Sequence, residues 1–178
     1  MERFVILLRG VMPTGKNKVP MARLREVMAD AGYLNPRTWI QSGNLILDSG
    51  KSREATGEHV RELIHAQIGP ELALAALTAE EIQETLDNNP FQQGYDQARV
   101  FYGFFTRPPE QEALDRIRDK EWTGCEARLG NGAVYMYIPM DYTKAPLNAG
   151  ALEKLAGVPV TMRNANTLSK LVAMCGEG

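Results

Sequence analysis

The sequence predicts an α+β protein in which one βαββαβ pattern is used twice, and three observations point to it. Short apolar runs bounded by Gly or Pro alternate with stretches whose apolar residues recur at helical spacing. Two polar turns, Ser42-Gly43-Asn44 and Gly130-Asn131-Gly132, each separate a pair of such runs, as hairpins do. Near Arg99 the order of strands and helices starts again.

In the first half, Phe4 to Leu8 is an unbroken apolar run, which suits a strand covered on both faces. Met21, Leu24, Met28 and Ala31 follow at helical spacing, and Gly32 sits where that helix would stop. Arg37 to Gln41 and Leu45 to Leu47 read as two strands around the Ser42-Gly43-Asn44 turn. Val60, Leu63, Ile64 and Ile68 mark the next amphipathic helix, and Gly69-Pro70 ends it before a strand at Leu72 to Leu77. Thr78 followed by Glu81 has capping-box spacing and opens a connecting helix through Ile82 and Leu86, which stops near Asn89-Pro90.

The second half repeats the order. A strand at Val100 to Phe105 leads to a helix from Pro109 through Leu114 and Ile117, then to strands at Cys125 to Leu129 and Val134 to Ile138. A helix carrying Leu152 and Leu155 ends at Gly157, a short strand covers Val158 to Met162, and a final helix carries Leu168, Leu171 and Val172. The expected organisation is a first repeat over residues 1–77, a connecting helix and linker over 78–97, and a second repeat with the extra C-terminal helix over 98–178. Each unit has the ferredoxin-like arrangement, an antiparallel sheet with helices on one face, whose first and second strands run parallel with the third between them. The loop after the first strand and the hairpin between the second and third then emerge at one edge. In the first repeat this brings Gly10 to Lys18 beside Gln41 to Asn44.

Composition narrows the function classes. With 44% hydrophobic and 24% charged residues and a mean hydropathy of -0.30, the chain reads as an ordinary globular protein. No apolar run approaches the roughly 20 residues that cross a bilayer, and the run at Phe4 to Leu8 is too short for a signal peptide, so the expected location is cytoplasmic, with no membrane partner. Cys125 and Cys175 fit as small core residues, one on a strand face with Ala127 and Leu129, the other four residues after Leu171 on a helix. Net charge is -2 but uneven: residues 1–50 carry seven Lys or Arg against four Asp or Glu, while residues 51–120 carry eight against thirteen. An anionic partner should meet the N-terminal third.

The segment LLRGVMPTGKNKVP, Leu7 to Pro20, satisfies most of the P-loop pattern through Gly10, Gly15 and Lys16, and Leu45 to Asp48 imitates the strand that ends in a metal-binding Asp. Three features argue against a nucleotide loop. Asn17 replaces the Ser or Thr that should meet magnesium, Pro20 starts the helix about three residues late, and the hairpin makes the Asp strand antiparallel, where P-loop enzymes need parallel strands. What survives is an anion site. Arg9, Lys16 and Lys18, with Asn17, Gln41, Ser42 and Asn44 from the facing turn, could hold a phosphate or carboxylate beside a helix N-terminus. The bland alternative is a solvated loop with Arg9 tied to the hairpin for stability.

The segments LLRGVMPTGKNKVPMARLRE, RTWIQSGNLILDS, NNPF and TMRNANTLSKL resemble the blocks of an uncharacterised bacterial family, domain of unknown function 1697. The resemblance spans nearly the whole chain. It implies a duplicated α+β fold and no established activity, substrate or cofactor. Members of that family usually read Asn, a small apolar residue and Gly where this chain has Met12, Pro13 and Thr14, and Trp where it has Ala165. If those positions touch a ligand, this member has altered or lost it.

Other residue patterns weigh less. His59 and His65 share a helix but lie six residues apart, roughly 120° around its axis, so one metal cannot easily take both, and no metal or cofactor is expected. Ser42 lacks a nucleophile-elbow setting. Arg163, Asn164 and Asn166 lie between a strand and a helix, where capping is the favoured reading and ligand contact the lesser one. A rival function uses Phe101, Tyr102, Phe104, Phe105, Tyr135 and Tyr137, because RNA-recognition modules stack bases on the two central strands of such a sheet, although this region is not basic. An enzyme whose site is completed by another subunit, and a homo-oligomer, stay open as alternatives.

Overall fold

The computed structural model describes all 178 residues and divides the chain into two compact units, one of Met1–Ile82 with Lys170–Gly178, the other of Gln83–Ser169. The first unit has a four-stranded antiparallel sheet in the order β2-β3-β1-β4. Its elements are β1 (Glu2–Leu8), α1 (Met21–Asp30), β2 (Leu34–Trp39), β3 (Asn44–Ser49), α2 (Arg53–Gln67), β4 (Leu74–Leu77) and the start of α3 (Ala79–Asp87). The order is that of a ferredoxin-like unit.

Alternation along β1 explains its unbroken apolar run. Phe4, Ile6 and Leu8 share a core with Leu45 and Leu47 of β3, Leu24, Val27 and Met28 of α1, and Val60 and Ile64 of α2. Val5, Leu7 and Ile46 point the other way and are buried too, so both faces are covered and neither can be polar. On that second face the last turns of the C-terminal helix approach the sheet. Lys170 Nζ lies 5.1 Å from the centre of the Trp39 ring, and Arg3 Nη1 donates to the Cys175 carbonyl at 2.7 Å.

The second unit repeats the topology as β6-β7-β5-β8. Its elements are β5 (Val100–Phe105), α4 (Gln111–Asp119), β6 (Glu126–Leu129), β7 (Ala133–Tyr137), α5 (Ala149–Ala156) and β8 (Val160–Asn164). The final helix, α6 (Ala165–Gly176), begins in this unit and ends in the first. Val134, Met136, Phe105 and Val160 pack against Ile117 of α4 and Leu152 of α5, with Cys125 buried among them as its apolar alternation suggested.

Several boundaries differ from the periodicity: β2 ends at Trp39, before Ile40 and Gln41 of the turn, β8 covers Val160–Asn164 rather than Val158 to Met162, and two strand starts differ for visible reasons. β2 starts at Leu34, earlier than Arg37, because Leu34 pairs with Asp48 across an irregularity that ends at Arg37 and holds Asn35 at φ 50°. β4 starts at Leu74 rather than Leu72, where pairing with Leu8 begins, although Arg9 N–H still reaches the Ala73 carbonyl at 2.9 Å.

Candidate functional site

Three hydrogen bonds show how the edge at the C-terminal end of β1 is held. Leu8 N–H donates to the Gly43 carbonyl at 2.9 Å, Gln41 Nε2 donates to the Val19 carbonyl at 2.7 Å, and Met12 N–H donates to the Asn17 carbonyl at 3.0 Å. The first continues the β1–β3 pairing onto the turn, the second ties Val19, just after Lys18, to the β2–β3 turn, and the third closes the loop on itself. Gly43 is required there. A Cβ at this position would sit 2.7 Å from Val11 Cγ2 and 2.8 Å from Leu8 Cβ, and the backbone has φ 89°.

The sequence-derived residues divide by role. Asn44 is fully buried at the first position of β3 and holds the turn, donating through Nδ2 to the Trp39 carbonyl and to Ser42 Oγ, both at 3.0 Å. Gln41 spends its amide N–H on Val19 and so is part of the scaffold. Lys16 and Lys18 are exposed, Asn17 and Arg9 half-buried, and Ser42 exposed on the turn. α1 begins after Pro20 with no side-chain cap hydrogen bond and no acidic residue in its first turn. From Arg3 to Arg25 there is no Asp or Glu at all. The edge is therefore basic, with no paired acid and base among these residues.

Arg163 and Asn164 prove to be the last residues of β8 rather than a linker, and Asn166 lies in the first turn of α6. Asn164 Oδ1 accepts from Thr167 N–H at 2.9 Å and caps α6, while Arg163 Nη1 donates to Thr161 Oγ1 at 2.7 Å and to the Met162 carbonyl at 2.8 Å. Capping is what the residue types suggested. Of the rings that the RNA reading uses, Tyr102, Phe104, Phe105 and Tyr135 are buried, with Tyr135 Oη donating to the Thr85 carbonyl at 2.9 Å, while Phe101 and Tyr137 are half-buried. Burial keeps the Tyr102 and Tyr135 phenols above their ordinary range.

His59 Nδ1 lies 2.8 Å from Tyr33 Oη and His65 Nδ1 3.1 Å from the Gly69 carbonyl, each serving its own local contact. No group of three or more His, Cys, Asp or Glu side chains converges on a point where an ion could sit.

A cluster at the opposite end of the same sheet was not legible as a site. Arg3 donates to both Asp48 oxygens, at 2.6 and 2.9 Å, and Asn35 Nδ2 adds a third donor at 2.7 Å. Those hydrogen bonds, led by Arg3, pull the Asp48 carboxyl down to about 2. A cleft of about 620 Å³ opens there, with Arg3, Asp48, Thr78, Glu80, Val172 and Cys175 in its wall. Burial pushes the Cys175 thiol up despite the nearby Arg3 and Arg37 guanidinium groups, so it stays protonated at neutral pH. Only the antiparallel register of β1 on β3 sets Arg3 opposite Asp48, and no short-range pattern records it.

The family described as a protein of unknown function, DUF1697, matches residues 1–135, three quarters of the chain. The chain belongs to the DUF1697 family. Among solved structures, the chain is similar to the conserved bacterial protein SP0830 from Streptococcus pneumoniae, which is 24% identical, aligns over 98% of each chain and superposes with a TM-score of 0.76. At that identity the likeness shows the fold. No curated protein matches this DUF1697 member.

Proposed function

We propose that this DUF1697 protein is a non-hydrolytic binding module for a small anionic ligand bearing a phosphate or carboxylate, held at the loop edge of the first unit. The observation that carries the reading is the bond from Gln41 to the Val19 carbonyl, which holds the end of the basic loop, next to Lys18, against the turn. Lys16 and Lys18 supply charge, the uncapped start of α1 supplies amides, and Ser42 supplies a hydroxyl at the turn. Charge-assisted hydrogen bonds of this kind contribute about 1.5 to 3 kcal/mol each.

A thermal-shift screen of phosphorylated and carboxylated metabolites tests it. The expected outcome is a set of anionic hits whose shift shrinks in Lys16→Ala and in Arg9→Ala, each weakening affinity roughly tenfold. If every hit binds both variants as well as the parent, the site is elsewhere.

A further inference from the structure

Of the large apolar side chains that the fold leaves exposed, Met12 and Ile40 belong to the two segments that meet at the loop edge. Met12 is 53% exposed, and its amide is bonded to the carbonyl of Asn17, the residue between Lys16 and Lys18. Ile40 is 50% exposed and immediately precedes Gln41, whose amide is bonded to the carbonyl of Val19, the residue after Lys18. Ile40 also holds φ 49°, a left-handed backbone that a β-branched side chain adopts only under strain. Asn or Gly would fit that conformation at less cost and expose less apolar surface. The chain therefore keeps a strained, half-exposed isoleucine beside a cationic loop with no acidic residue between Arg3 and Arg25.

We propose that the ligand of this edge is amphiphilic: a phosphate or carboxylate head group on an aliphatic chain, with Lys16 and Lys18 taking the head and Met12 and Ile40 lying against the chain. The inference rests on the anion-binding reading above and adds the chemical class of the ligand. An aliphatic chain fits better than a base or sugar because the exposed pair is itself aliphatic, with neither an aromatic face for stacking nor an amide for hydrogen bonding.

The test is calorimetric titration of the full chain with inorganic phosphate and with ethyl, butyl and octyl phosphate below their aggregation limits. Affinity should rise by about twofold per added methylene, half or less of the effect of full burial. The rise should flatten in Ile40→Asn and in Met12→Ser while binding of inorganic phosphate stays unchanged in both, and Ile40→Asn should hold or raise Tm by about 2 °C as strain is relieved. Co-sedimentation with vesicles of phosphatidylcholine containing about 30 mol % phosphatidic acid separates the sources. Retention on those vesicles, together with the chain-length effect, assigns the head group to a lipid surface; the chain-length effect without retention assigns a soluble amphiphile. Octyl phosphate binding no tighter than inorganic phosphate overturns the amphiphile and leaves the anion site standing. No binding by either overturns both, and a Tm fall of several degrees in Ile40→Asn would show that the fold itself needs the isoleucine.

Discussion

Asp48 is the residue whose chemistry is most displaced by its surroundings. Its carboxyl is held at about 2 by Arg3 first, with Asn35 assisting. A carboxyl whose folded pKa lies below its unfolded value near 3.9 stabilises the protein above that value and loses the contribution as pH falls toward the folded pKa. Between pH 4 and 2 the first unit should thus lose stability on the order of 1 to 2 kcal/mol, and Asp48→Asn should remove that part of the acid dependence while lowering stability by a similar amount at pH 7. Urea unfolding across the pH range measures both; an unchanged acid slope in the variant would refute the assignment. Arg3 and Asp48 are 45 positions apart, so only strand register makes them neighbours. The same holds for Gln41 and Val19, whose meeting the topology foretold at the level of loops but not of atoms.

Among the elements, helix starts were the most legible features because caps act within four residues. Thr78 and Glu81 form the reciprocal box that their spacing announced: Thr78 N–H donates to Glu81 Oε2 at 2.8 Å and Glu81 N–H to Thr78 Oγ1 at 3.3 Å. Glu81 also accepts from Arg53 at 2.8 Å, which ties the start of α3 to α2. Thr78→Ala should cost about 1 kcal/mol, and Thr78→Ser should recover most of it, as denaturation midpoints would report. Strand edges were less legible. The early start of β2 depends on Asn35 taking a left-handed backbone and on Asp48 accepting its amide, a local arrangement that apolar periodicity does not encode.

At the scale of the whole molecule, the helix that begins after β8 in the second unit finishes in the first. Leu171 is fully buried and Met174 nearly so, and the Cys175 carbonyl receives Arg3. A chain ending at Ser169 should lose about 4 kcal/mol or more, since two buried apolar side chains and the acceptor for Arg3 go together. Removing only Glu177 and Gly178, both exposed, should change the denaturation midpoint little. Equal stability of the two truncations would mean that the end of α6 contributes nothing to the first unit. The periodicity of Leu168, Leu171 and Val172 identifies a helix with an apolar face, yet cannot say which sheet that face meets.

The amino-acid sequence by itself determined the kind and order of the elements, the duplication, the capping of α3 and α6, and the rejection of a P-loop, because each depends on residues close together along the chain. It also brought the loop at Gly10 to Lys18 to the turn at Gln41 to Asn44, since a βαββαβ order admits one such edge. The tertiary structure alone decided which of those residues build the edge and which are exposed on it, that Tyr102, Phe104 and Tyr135 are closed off, that Ile40 is strained and half exposed, and that Arg3 holds Asp48 ionised. Those outcomes follow from register and burial, which depend on contacts between residues far apart in the chain, and short-range patterns carry no record of them.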